Sequence, residues 1–141
     1  LDTDYPRLSG LALSPEPAAV GAETGFLYVQ DVFDLRLAAE LVVLSGCRTA
    51  LGREVRGEGL MGLARGFLSA GAARVVASLW SVEDTSTAQL MVGFYRATQT
   101  TDAARALRSS KLARLAEATT AHPFYWAGFV LSGDPDLPSS R

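Results

Sequence analysis

Cys47 is the only cysteine of the chain and His122 its only histidine. The thiol closely follows Leu41-Val42-Val43-Leu44, and Ser45-Gly46 separates the two. Four consecutive aliphatic residues, two of them β-branched, predict a strand buried on both faces. In open α/β folds the groups that do chemistry sit in the crevice beyond the carboxyl ends of such strands. Cys47 therefore stands where a nucleophile belongs, and Arg48 beside it favours the thiolate, the reactive form. The competing reading is a small buried hydrophobe, since free cysteine is among the most buried residue types. The position past the strand, ahead of Thr49 and a glycine-rich loop, favours the chemical role.

A thiol nucleophile is usually activated by a histidine. His122-Pro123, however, reads as a turn between a helix and the last strand, where a capping or structural histidine is the simpler account. Gly57-Glu58-Gly59-Leu60-Met61-Gly62 spells G-x-G-x-x-G ahead of a helix, with Glu83 and Asp84 after the next strand, which imitates a dinucleotide fingerprint. That fingerprint needs its first glycine within a residue or two of the strand end. Here about ten residues intervene, and Glu58 repels phosphate, so the segment reads as a loop leading into a helix. Trp80-Ser81-Val82-Glu83-Asp84 also stands past the carboxyl end of a strand. If that strand neighbours the one before Cys47, these residues border the thiol, even with Trp80 packing and Asp84 capping a helix. Arg105, Arg108, Lys111 and Arg114 step by three along one helix, as a solvated face or a partner-docking surface.

The elements that must position these groups follow from the pattern. Leu8 to Leu13 alternates apolar with small residues as a short strand, and Phe26 to Val29 is a second. Asp31 reads as the cap of a short helix holding Val32, Phe33 and Leu35. Residues 48–59, with Gly52, Gly57 and Gly59, form a long loop. Leu60, Leu63, Ala64, Phe67 and Leu68 give the clearest helix, with Gly71 at its C′ position. Ala73 to Trp80 is a second buried strand. Asp84-Thr85-Ser86 offers N-caps for a helix to about Thr98. Another helix starts at Thr101 or Asp102 and runs to about Ala118. The last strand is Tyr125 to Leu131, ended by Gly133-Asp134-Pro135. Strand–helix–strand alternation implies an α/β domain with a mainly parallel sheet and helices on both faces.

The 141 residues suit a single domain, 1–141, with a polar tail over 134–141. Apolar content of 48% and charged content of 20% are those of a globular protein. A net charge of −2 gives no case for nucleic acid or an anionic membrane. One cysteine excludes an internal disulfide, no Cys/His cluster suggests a metal, and no cofactor is implied. The acidic start lacks a signal-peptide pattern, and no apolar run approaches the ~20 residues of a membrane span. A free thiol then makes a cytoplasmic protein the expectation. The absence of an initiator methionine suggests a fragment or a processed product.

Four segments together resemble the CHAT domain, a caspase-like module often appended to TPR repeats. Leu8 to Leu13 is similar to the family's segment between its catalytic His and Cys. LVVLSGCRTALG, residues 41–52, is similar to the nucleophile motif usually written LVVLSACxTG. GEGLMGLARGFLSAGAARVVASLW, residues 57–80, resembles the Gly-Glu-Gly helix and the strand after it. HPFYWAGFVLSGD, residues 122–134, resembles the C-terminal strand. The order is the family's, and the match covers nearly the whole chain. Gly46 replaces the usual alanine before the cysteine and Ala50 the usual glycine after Thr49, both small exchanges.

The resemblance implies a three-layer caspase-like fold, akin to separase and gingipains, with its N-terminal part absent. It makes Cys47 the nucleophile of a cysteine endopeptidase and its backbone N–H an oxyanion donor. Ser78, Leu79, Trp80, Ser81, Glu83 and Asp84 would line the substrate groove, with residues 78–81 pairing with peptide backbone. Glu83 or Asp84 would suit a basic P1 residue. The family's catalytic His-Gly should lie shortly before Leu8, where this chain has no histidine, so the chain alone is expected to be inactive. The alternative is a non-catalytic caspase-like scaffold or interaction module. The implied partners are a peptide or protein substrate and, at an exposed sheet edge, a second copy or the N-terminal half of the domain.

Overall fold

The computed structural model describes residues 10–13, 25–45 and 58–134. Two short strands, β1 (Gly10–Ala12) and β2 (Phe26–Tyr28), pair antiparallel as a sheet of their own. Helix α1 (Val29–Asp34) follows directly. The helix begins two residues ahead of Asp31, which sits in its first turn and accepts the Tyr28 N–H at 2.9 Å. Strand β3 (Val42–Leu44), helix α2 (Glu58–Ser69), strand β4 (Arg74–Ser78), helices α3 (Asp84–Thr98) and α4 (Ala103–Ala116), and strand β5 (Phe129–Gly133) complete the order.

The second sheet has three strands in the order β3-β4-β5. β3 runs parallel to β4 with Leu44 opposite Ala77, whereas β5 runs antiparallel to β4 with Phe129 opposite Ser78. The expectation of a mainly parallel sheet is corrected here: one pairing is parallel, one is antiparallel, and β1-β2 forms a separate antiparallel sheet. The reason is the connection. One helix between β3 and β4 brings the chain back to the same end of the sheet. Two helices lie between β4 and β5, and they run antiparallel, since Arg114 near the end of α4 reaches Gln89 near the start of α3. Two reversals deliver β5 pointing the other way.

Helices cover both faces of the three-stranded sheet. Val75 and Ala77 pack with Val32 of α1 and Leu63, Ala64 and Phe67 of α2. Val76, whose side chain points to the opposite face, joins Leu90, Met91 and Phe94 of α3, Ala106 and Leu107 of α4, and Phe129 of β5. β4 is buried at every position, as its unbroken apolar run required.

Gly71 ends α2 in the expected left-handed conformation, with φ +108°. The Gly71 N–H bonds Leu68 O at 3.1 Å and the Ala72 N–H bonds Phe67 O at 3.0 Å, a Schellman closure. A Cβ on Gly71 would lie 2.4 Å from Leu37 O, so glycine is required both for φ and for the approach of the chain leading to β3. Among the described residues no helix is long and apolar enough to cross a membrane.

Candidate functional site

The parallel pairing of β3 and β4 answers the condition set by the sequence. Their carboxyl ends emerge side by side, Leu44 registered with Ala77. The residues after β4 therefore leave the sheet at the same edge as the residues after β3. Cys47 comes three positions after Leu44 and lies outside the described residues, as do Gly46 and 48–57. What the structure describes is the segment after β4, a wall at that end of the sheet.

That wall is fastened to the last strand. The Leu79 N–H donates to Gly128 O at 2.9 Å, extending the β4–β5 pairing by one residue. Ser78 is 4% exposed and its hydroxyl donates to Trp80 O at 2.6 Å. Its side chain is thus a brace under the wall and does not face a groove. Trp80 is exposed on the surface, and its indole Nε1–H donates to Phe124 O at 2.9 Å. The ring lies over Gly128: a Cβ there would come 2.8 Å from Trp80 Cε2. Val82, 3% exposed, plugs the turn into the α3–α4 core. Ser81, Glu83 and Asp84 are exposed. Of the residues that the resemblance assigns to a groove, Trp80, Ser81, Glu83 and Asp84 are exposed and Leu79 is half-buried.

Glu83, not one of Asp84-Thr85-Ser86, caps α3. Its two carboxylate oxygens accept the Thr85 N–H at 3.0 Å and the Ser86 N–H at 2.7 Å. The Ser86 backbone bond, aided by those of Thr85, lowers its pKa from 4.5 to about 2. Because the folded value lies below the ordinary one, this cap stabilises fully above pH 4.5, and its contribution fades as pH falls toward 2. The melting temperature of Glu83→Gln should sit below that of the wild type at pH 6 and converge with it near pH 2.5. A gap that stayed constant would contradict the capping geometry. With Glu83 so engaged, Asp84 in the first turn is the acid left facing outward at the positive end of α3.

Substituting Gly128 tests the wall itself. Gly128→Ala should push the Trp80 indole off its seat, break the bond to Phe124 O and cost about 1–3 kcal/mol, as overpacking does. Tryptophan fluorescence should shift with the stability loss. Unchanged emission at wild-type stability would show that the ring does not rest there.

His122 takes the bland role. It is exposed, and its Nδ1 accepts the Phe124 N–H at 3.2 Å, capping the 3-10 helix Pro123–Tyr125. The last strand consequently starts at Phe129 instead of Tyr125. Gly59 and Gly62 lie inside α2, so the G-x-G-x-x-G spelling does not make a turn around phosphate.

The family model described as CHAT domain matches residues 1–134. The chain belongs to the CHAT family. The mouse protein named Tetratricopeptide repeat protein 28 is 37% identical over 115 residues, covering 76% of this chain and 4% of that protein. Its human counterpart of the same name is 34% identical over 108 residues, with the same coverage. This CHAT chain therefore spans about 4% of the length of these relatives.

Phe124 and Gly128, which hold Trp80 in place, were not singled out by sequence reasoning. A signal existed: an isolated glycine within an apolar strand pattern marks a close approach of another group.

Proposed function

We propose that this CHAT chain is the C-terminal part of a caspase-like cysteine endopeptidase of three-layer fold, carrying its nucleophile and part of its substrate groove. The observation that carries this reading is the parallel β3–β4 pair. It brings the carboxyl ends of β3 at Leu44 and β4 at Ser78 to the same end of the sheet, and Cys47 follows Leu44 by three residues in a stretch reading LVVLSGCRT. In the proposed reaction the Cys47 thiolate attacks the scissile carbonyl carbon, and the peptide C–N bond breaks as the amine leaves with a proton. The resulting thioester is hydrolysed by water to regenerate the thiol. The Cys47 backbone N–H stabilises the oxyanion. Trp80 and Ser81 line the groove, and Asp84, more than Glu83, is the carboxylate left to meet a basic P1 side chain.

His122 is occupied as a helix cap, so the base that takes the thiol proton is a histidine not among these 141 residues. At its ordinary pKa of about 8.5 a thiol is only a few per cent ionised near neutrality, and a positioned base contributes roughly 10²–10⁴ in rate. The chain by itself is accordingly expected to cleave little. We take the longer protein to be cytoplasmic, to join this domain to TPR repeats, and to cover the free sheet edge with the rest of the domain or with a second copy.

The second reading is a non-catalytic scaffold, and the sequence encoded ahead of Leu1 separates the two. A His-Gly after a hydrophobic strand is expected for the peptidase, and changing that histidine to alanine should abolish cleavage. A parent protein without it would leave the scaffold.

A further inference from the structure

A hollow of about 380 Å³ lies between α4 and the β5 side of the sheet. Leu107, Leu112 and Leu115 of α4 form its floor together with Trp126 and Leu131. Leu112 is 44% exposed and Leu115 45%. The lining positions on α4 are 104, 107, 108, 111, 112 and 115, steps of three and four that trace one helical face. Leu107 is buried beneath this face, and its exposed part, from Arg108 to Leu115, runs for roughly 10 Å, about two turns, at about 1.5 Å per residue.

Charge marks the same stripe. Four cations step along α4. The outer two are paired within the chain, Arg105 with Asp102 at 2.9 Å and Arg114 with Glu117 at 2.8 Å. The inner two, Arg108 and Lys111, line the hollow and have no carboxylate partner among the described residues. Lys111 is half-buried, and desolvation holds its amine below the ordinary value. A cation withdrawn from water without an anion is a cost that an incoming carboxylate would remove.

We propose that this groove is the docking site for an acidic amphipathic helix of a partner protein. The helix lies along α4, its apolar anchors seated among Leu112, Leu115 and Trp126 and its carboxylates on Arg108 and Lys111. A helix fits better than an extended strand because the uncovered surface is itself a helical face, which offers ridges and grooves to a second helix.

The probe is a synthetic amphipathic helix of about 18 residues, long enough to hold helical structure. It carries leucines at i, i+3, i+4 and i+7 and flanking glutamates; a companion peptide has lysines in place of the glutamates. Binding to the 141-residue chain is read by fluorescence anisotropy. The acidic peptide should bind at least tenfold more tightly than the basic one, and the Arg108→Glu/Lys111→Glu double variant should reverse that preference. Leu112→Glu, a change at an exposed position, should weaken binding at least tenfold with an unchanged far-UV spectrum. Several results would overturn the proposal. They are equal binding of both peptides, a preference that survives the charge reversal, indifference to Leu112→Glu, and no binding up to about 1 mM. A proline-interrupted peptide that bound as well would mean an extended occupant. Self-association in sedimentation that Leu112→Glu abolished would mean a second copy.

Discussion

Cys47→Ala in the longer protein is expected to lower cleavage of a peptide substrate by at least ~10³-fold, equivalent to about 4 kcal/mol of transition-state stabilisation. The exchange removes a single sulfur from a small side chain. The circular dichroism spectrum and melting temperature should therefore stay near those of the wild type, while kcat collapses. Cys47→Ser should fall almost as far, because a hydroxyl at the same place ionises far less readily than a thiol. Loss of activity together with loss of fold would point to a packing role for the cysteine, the alternative that the sequence left open. Retained cleavage in either variant would remove Cys47 from the mechanism.

Phe94→Ala should have the largest effect on stability. Phe94 is fully buried where α3 meets α4, β4 and β5, in contact with the cluster of Val76, Leu107 and Phe129. Truncating a buried phenylalanine costs about 3–5 kcal/mol, through lost transfer free energy and the cavity left behind. For a domain that stands only 5–15 kcal/mol above its unfolded state, this consumes a large part of the margin. Equilibrium urea unfolding measures it as a fall in midpoint at constant slope. The site should suffer as well, since the same cluster holds Val82, which anchors the turn between Trp80 and Glu83. A cost under about 1 kcal/mol would mean that α3 and α4 are not packed on the sheet as described.

Much of this could be read from the chain because strong local signals agreed with the global fold. The helical stripe from Leu63 to Leu68, the Gly71 stop and the aliphatic run of β4 each had one physical solution. Asp102 caps α4 through the Arg105 N–H at 2.8 Å, at one of the two positions expected. Elsewhere the pattern permitted two answers. Tyr125-Trp126 continues an apolar run, but local bonds win there: Tyr125 N–H to His122 O at 3.1 Å and Trp126 N–H to Pro123 O at 3.2 Å close a short helix instead of a strand. Glu83 is a residue type seldom favoured as an N-cap, yet its longer side chain reaches two backbone amides at once. The direction of β5 is not written in its side chains, although the count of helices before it, two instead of one, carried the information. The neighbouring of the two strands was legible, and Trp80, Ser81, Glu83 and Asp84 are exposed after β4. The seat of the Trp80 indole depends on Gly128 and Phe124, more than forty residues away in sequence, a contact that no local pattern encodes.

The most direct test of the central claim is the rate at which iodoacetamide alkylates Cys47 in the longer protein as pH is varied, with the modified residue located by peptide mass mapping. A thiol paired with a base should react faster than free cysteine at pH 7 and keep that rate well below the ordinary thiol pKa of about 8.5. Alkylation no faster than that of free cysteine, rising only through pH 8.5, would contradict the account.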